Sequence, residues 1–175
     1  MFSKKILLTV IAGLVLTLLV IINSEPRVPR SERVIIGRVE EAILQDYNIK
    51  FKSRVDTGAG LSSLNAKILK IKKDGDSERI IFEIADKDGN IQKLDKKIVE
   101  WINIKHKGTV GFDKRPVVEM DICLGGKQIQ GRVSLADRTS FIYPLLIGRN
   151  FLKAGDFLID PEQKYMQHPA CSVRK

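Results

Sequence analysis

The sequence predicts an all-β chain, a small closed or partly closed barrel with one short C-terminal helix, preceded by an N-terminal transmembrane helix. Three observations carry this. From Val34 onward apolar and polar residues mostly alternate, which is the period of a strand with one buried face. Turn signals such as "KDGD", "DKDGN" and "LGGK" punctuate these runs at short intervals. Helix signals are scarce once the first apolar run is passed, and many short strands joined by glycine-bearing turns favour a barrel.

Taken in order, "MFSKK" precedes "ILLTVIAGLVLTLLVII", residues 6–22, which holds neither charge nor proline. As a helix this run spans roughly 25 Å, near the lower limit for crossing a bilayer. It is longer than the usual apolar core of a secretory signal, and "IINSEP" offers a poor cleavage site after Ser24. Residues 1–24 therefore read as an uncleaved membrane anchor, with a cleaved signal peptide as the alternative. Lys4 and Lys5 favour a cytoplasmic amino terminus, whereas Arg27, Arg30 and Arg33 pull the other way. A short basic leader is the usual start of an exported chain, so the expected location is outside the cytoplasm. The domain would be membrane-anchored and periplasmic, or soluble there or secreted if the segment is cleaved. Residues 25–33, with two prolines and mixed charges, read as an extended linker, and residues 34–175 as one domain.

Within the domain, "VIIGRVE", "IKFKSRV", "AKILKIKK", "RIIFEIAD", "VVEMDICL" and "QIQGRVSL" read as strands. "FIYPLLIGRNFLKAGDFLID", residues 141–160, reads as an apolar strand, a short helix from after Gly148 to Gly155, and a further strand. The net charge of +9 is spread over many lysines instead of one block. That pattern fits a solubilising surface, or attraction to acidic substrates or anionic lipid; nucleic acid is not an expected partner. Two cysteines and two histidines, His106 and His168, lack metal-site spacing, so neither a metal nor a cofactor is expected. Alternation in "VVEMDICL" puts Cys123 on a face with Glu119 and Asp121, away from the deep core. In an oxidising compartment it could pair with Cys171; otherwise both are isolated thiols.

The chemistry-bearing candidate is "SRVDTGAGLSSLNA", residues 53–66. An alternating strand delivers Asp56 at its end, where Thr57, Gly58 and Ala59 permit a tight turn and close approach of backbone N–H groups. Thr57, Ser62 and Ser63 add hydroxyls for a supporting hydrogen-bond network. Asp56 is either a turn-capping residue or a catalytic carboxylate. Gly148 permits a close backbone approach, and Arg149 at the mouth of an apolar strand needs an acidic or carbonyl partner. Gly108, Thr109, Val110, Gly111 and Phe112 form a hairpin tip, either a surface loop or a lid over a groove.

In that order, "VDTGA" with Leu64, "GTVGFDKRP" and "LIGRNFL" resemble the retroviral-type aspartic proteases. The fuller string "RVDTGAGLSSLNA…RPVVEM…LGGKQIQGRVSLADRTSFIYPLLIGRNFL" is similar to their bacterial relatives, over roughly residues 34–162. That group is often labelled ATP-dependent zinc proteases, yet this sequence has no phosphate-binding glycine loop ending in lysine and no zinc-ligand cluster. The resemblance implies a retropepsin-like barrel and a homodimer in which Asp56 of each chain meets its counterpart. Two carboxylates about 3 Å apart share one proton, so one can activate water while the other polarises a peptide carbonyl. By the same resemblance, Ala59 and Thr57 orient the loop, Thr57 bonds across the dimer axis, and Gly148 and Arg149 serve structure and dimerisation. Where the viral enzymes usually carry an acid after Asp-Thr-Gly-Ala, this chain has Gly60, which leaves Arg149 to a carbonyl or to Asp137. The stretch between Asn65 and Lys105 exceeds what the viral enzymes need and is expected to add hairpins. The expected function is a membrane-tethered aspartic endopeptidase acting on a peptide or protein substrate. Alternatives are a non-catalytic peptide-binding module on the same fold and a structural envelope protein. Family members near glutamate-ligating enzymes hint at acidic tails as substrates.

Overall fold

The computed structural model describes residues 33–86, 88–105 and 111–171. The expected anchor at 1–24 and nearly all of the linker lie outside these residues, as do Gly108, Thr109 and Val110 of the hairpin tip. Among the described residues no helix is long and apolar enough to cross a membrane. The chain is mostly strand, as the alternation requires: β1 (Ile35–Gly37), β2 (Val39–Leu44), β3 (Ile49–Val55), β4 (Ser62–Asn65), β5 (Lys67–Asp74), β6 (Ser77–Ala85), β7 (Ile91–Lys105), β8 (Phe112–Leu124), β9 (Lys127–Ala136), β10 (Leu145–Ile147) and β11 (Leu158–Asp160). One short helix, α1 (Arg149–Ala154), lies between β10 and β11, within the bounds set by Gly148 and Gly155.

β1 and β11 pair in parallel as a separate two-stranded sheet. The other strands form one sheet in the order β2-β3-β10-β4-β9-β8-β7-β6-β5, and β2 also pairs with β8. That pairing returns the order on itself, so β2, β3, β10, β4, β9 and β8 make a closed hydrogen-bonded circuit. β8 is long enough for two tasks. Its first half pairs with β7, and its last residues Ile122, Cys123 and Leu124 pair with β2. The antiparallel β5, β6 and β7 continue outward from the circuit as the extra hairpins expected between Asn65 and Lys105.

β3 shows how pattern becomes placement. Ile49, Phe51, Ser53 and Val55 are buried while Lys50, Lys52 and Arg54 are exposed. The core they join includes Leu64, Val133, Leu135, Leu145, Ile147 and Phe151. The β8–β9 turn is made by Gly125 and Gly126 at φ +55° and +75°, a region that side chains disfavour. Three strand assignments need correction. β7 runs through "IQKLDKKIVEWINIK", where charges on both faces, Lys96 between buried Leu94 and Ile98 and Lys93, Asp95 and Lys97 opposite, mask the alternation. β4 occupies "SSLN", which was not among the strands read from the sequence and whose side chains are buried or half-buried. The strand before α1 is only Leu145–Ile147, because residues 137–144 form a loop ending at Pro144, which cannot donate to a ladder.

Cys123 also departs from expectation. It is fully buried, and it is disulfide-bonded to Cys171. Glu119 on the same face stays exposed and Asp121 half-buried, whereas at Cys123 β2 pairs alongside and Cys171 returns to the side chain. The bridge spans a sequence separation of 48.

Candidate active site

The end of β3 is held from both sides. Val55 donates its amide to the Arg38 carbonyl at 3.0 Å, and Asp56 donates its amide to the Ile147 carbonyl at 2.9 Å. The parallel β3–β10 pairing places Val55 beside Ile147, so the Asp-Thr-Gly-Ala loop and the Gly148-Arg149 segment leave adjacent strands together. Half-buried Asp56 then folds its carboxylate back onto its own turn. Oδ1 accepts from the Gly58 amide at 2.8 Å and the Ala59 amide at 3.2 Å. The turn-capping and oriented-carboxylate readings of Asp56 thus describe the same bonds; Oδ1 is engaged by the loop, and the fixed carboxylate stands at the strand end.

Arg149 secures that loop. Its Nη1 donates to the carbonyls of Thr57 at 2.9 Å and Gly58 at 2.7 Å. Of the two partners expected in place of an acid at Gly60, the carbonyl is used; Asp137 instead accepts from the Thr139 amide and hydroxyl. A Cβ at Gly60 would lie 3.6 Å from the Arg149 guanidinium, so the missing acidic side chain leaves room for it. The Arg149 amide also donates to the Ala59 carbonyl at 2.9 Å. Gly148 is required by close approach, since a Cβ there would fall 2.7 Å from the Leu61 carbonyl carbon.

Ser62 and Asn150 form a second tie. Asn150 Oδ1 accepts from the Ser62 amide at 3.0 Å and from Ser62 Oγ at 2.9 Å, and its Nδ2 donates to the Arg132 carbonyl at 2.7 Å. Ser62 Oγ in turn accepts from the Gly148 amide at 2.9 Å. Of the three expected hydroxyls, Ser62 supports the loop by its side chain. Thr57 contributes its carbonyl, and Ser63 Oγ is buried without a partner. Asn150 was missed as a site residue although it sits in the quoted "IGRN"; an amide next to a structural arginine signals a two-sided tie. Of the hairpin-tip residues, Gly111 precedes β8 and Phe112 opens it, two-thirds exposed.

An open cavity of about 450 Å³ is lined by Arg54, Arg138, Phe141, Ile142, Tyr143 and Leu146 among others. Arg54 is two residues before Asp56 and pairs with Leu146. Arg138 is buried at 8% exposure and stacks on Phe141 at 4.5 Å. Burial and the neighbouring Arg115 hold its guanidinium below the ordinary arginine range, and the charge of Asp56 opposes them. It stays cationic at any physiological pH. No property of "ADRTSF" marked Arg138 as a site residue; only folding brings it toward Asp56. Among the described residues no three His, Cys, Asp or Glu side chains converge, and both cysteines are in the disulfide.

A strand-end Asp-Thr-Gly-Ala loop clamped by Gly-Arg-Asn agrees with what comparison finds. The family model described as the retropepsin-like aspartic endopeptidase RimB matches residues 35–170. The chain belongs to the RimB-like family. A solved structure of similar fold is Lpg0085 from Legionella pneumophila, a protein of unknown function, at 31% identity and a TM-score of 0.66. The match covers 76% of this chain and 97% of that one. Two probable alpha-L-glutamate ligases are also similar. That of Shewanella pealeana is 31% identical and that of Shewanella halifaxensis 30%, each over 118 residues and 65% of this chain. This RimB-like chain spans 25% of the length of those curated relatives.

Proposed function

We propose that this RimB-like chain is an aspartic endopeptidase whose active site forms between two copies of the chain, each contributing Asp56. The observation that carries the reading is the braced loop: Asp56 Oδ1 takes two backbone amides while Arg149 holds the Thr57 and Gly58 carbonyls. A single carboxylate on so fixed a turn becomes a catalyst when a second one faces it. The pair then shares a proton, the ionised member removes a proton from water, and the protonated member polarises the scissile carbonyl. Water attacks that carbonyl carbon, and the amide nitrogen is protonated as the bond breaks. No group on the protein becomes covalently modified.

Acidic peptides are the substrate class we favour. Arg54, two residues before Asp56, and Arg138, which feels the Asp56 charge, line one cavity, and a guanidinium recognises a carboxylate through paired donors. Glutamate ligation by similar proteins, as their names describe it, agrees with a substrate rich in glutamate. We place the domain outside the cytoplasm, tethered by residues 1–24. The Cys123–Cys171 bridge supports this, since such bonds persist in oxidising compartments.

Asp56→Asn tests the proposal, because it keeps size and loop hydrogen bonding but loses the shared proton. Cleavage of a glutamate-rich peptide should drop at least about 10³-fold while the chain stays folded, and a chelator should leave the parent rate unchanged. Survival of cleavage in Asp56→Asn would move the chemistry elsewhere. A folded parent that binds such peptides and cleaves none would make this a peptide-binding module.

A further inference from the structure

We infer that the Cys123–Cys171 disulfide is a redox latch on the strand that delivers Asp56, so that the chain becomes competent only after oxidation. The link to catalysis rests on the endopeptidase reading; the latch itself does not. Residues 161–171 run as a strap along β1 and β2. The Gln163 carbonyl accepts from the Arg38 amide at 2.9 Å, and the Tyr165 amide donates to the Val39 carbonyl at 2.8 Å. Fully buried Glu40 gathers both segments. Its carboxylate accepts from the Gly37 amide at 2.6 Å and from the amides of Met166 and Gln167 at 3.0 and 3.3 Å. Arg38 is the residue whose carbonyl receives the Val55 amide, one position before Asp56. The strap, Arg38 and the end of β3 therefore form one continuous hydrogen-bonded path.

What holds the strap is unusual. Gln163, Lys164 and His168 are exposed, and Tyr165 and Met166 keep 45% and 39% of their surface exposed, so only partial apolar burial anchors it. Hydrogen bonds to exposed segments open readily, and the covalent bond to Cys123 keeps this segment in place. Cys123 is inaccessible whereas Cys171 is partly exposed, so a dithiol reductant would meet the Cys171 sulfur first. Its thiolate forms a mixed disulfide there and releases Cys123 as a thiolate that takes up a proton. The reductant's second thiolate then closes on the first, releasing Cys171, which also takes up a proton. Two electrons pass to the protein and the dithiol becomes a disulfide. With the tether gone, the strap leaves, Glu40 loses the Met166 and Gln167 amides, and the Arg38–Val55 rung loosens.

The experiment follows amide hydrogen exchange and glutamate-peptide cleavage in the full chain, oxidised, reduced with a dithiol, and reoxidised. Thiol counting confirms each state. Cys171→Ser is the second variant, since it removes the tether at the partly exposed end and leaves Cys123 in place. Reduction and Cys171→Ser should each raise exchange of the Gly37, Arg38, Met166 and Gln167 amides by about tenfold or more, with β8 and β9 still protected. Cleavage should fall in parallel and recover with reoxidation only in the parent. Unchanged exchange in the fully reduced chain overturns the latch, and so does loss of protection throughout β8 and β9. Raised local exchange with undiminished cleavage overturns its control of activity. If the oxidised chain cleaves nothing, the endopeptidase reading fails, and the exchange result still decides whether the latch exists.

Discussion

Arg149 shows how a departure at one residue is absorbed by another. With Gly60 where an acid would pair with it, the guanidinium turns to the Thr57 and Gly58 carbonyls and becomes a brace of the Asp56 loop within its own chain. Arg149→Met keeps the aliphatic stem and loses both bonds. Because small misplacements of a reacting group are costly, kcat should fall by about ten- to a hundredfold while KM changes little. Steady-state kinetics on the folded variant check this; an equal loss in KM alone would mean that Arg149 contacts substrate instead. Asp56, Gly148 and Arg149 were legible in the sequence because each breaks a local pattern: a charge among small residues, a glycine and a cation at an apolar strand end. Arg138 and Asn150 were not. Their significance comes from partners far along the chain, such as Ser62 for Asn150 at a separation of 88 residues.

At the scale of elements, local signals located turns and the α1 boundaries well, since glycine conformations and helix caps are short-range properties. They failed where a second layer decides burial. Cys123 lies on the polar face of β8 by alternation yet is buried where Cys171 returns to it, and in the chain-entropy model closing that loop contributes about 4 kcal/mol. The loop after β9 offers a test of local electrostatics. Bonds from the Thr139 amide, then its hydroxyl, lower the Asp137 carboxyl below the usual aspartate range. A carboxyl lowered on folding contributes stability above its unfolded value, about 3.9, and loses that contribution as pH falls through the folded value. Asp137→Asn should therefore be slightly less stable than the parent at neutral pH, with a margin that closes below about pH 4. Urea midpoints across that range measure it, and a margin that widens in acid would contradict the assignment.

For the whole molecule, the closed circuit of β2, β3, β10, β4, β9 and β8 explains why one loop can be held so firmly. β3 and β10 are neighbours within it, so the two motifs that lie nearly a hundred residues apart leave the sheet side by side. The central claim is that this frame presents only half of an active site. Mixing subunits tests it most directly. Parent chain and Asp56→Asn chain are combined at fixed total concentration, allowed to exchange, and assayed for cleavage of a glutamate-rich peptide. If both carboxylates are required, activity follows the square of the parent fraction, and an equal mixture retains about one quarter. A linear decline, with about one half retained, would mean that each chain cleaves alone and would contradict the shared dyad.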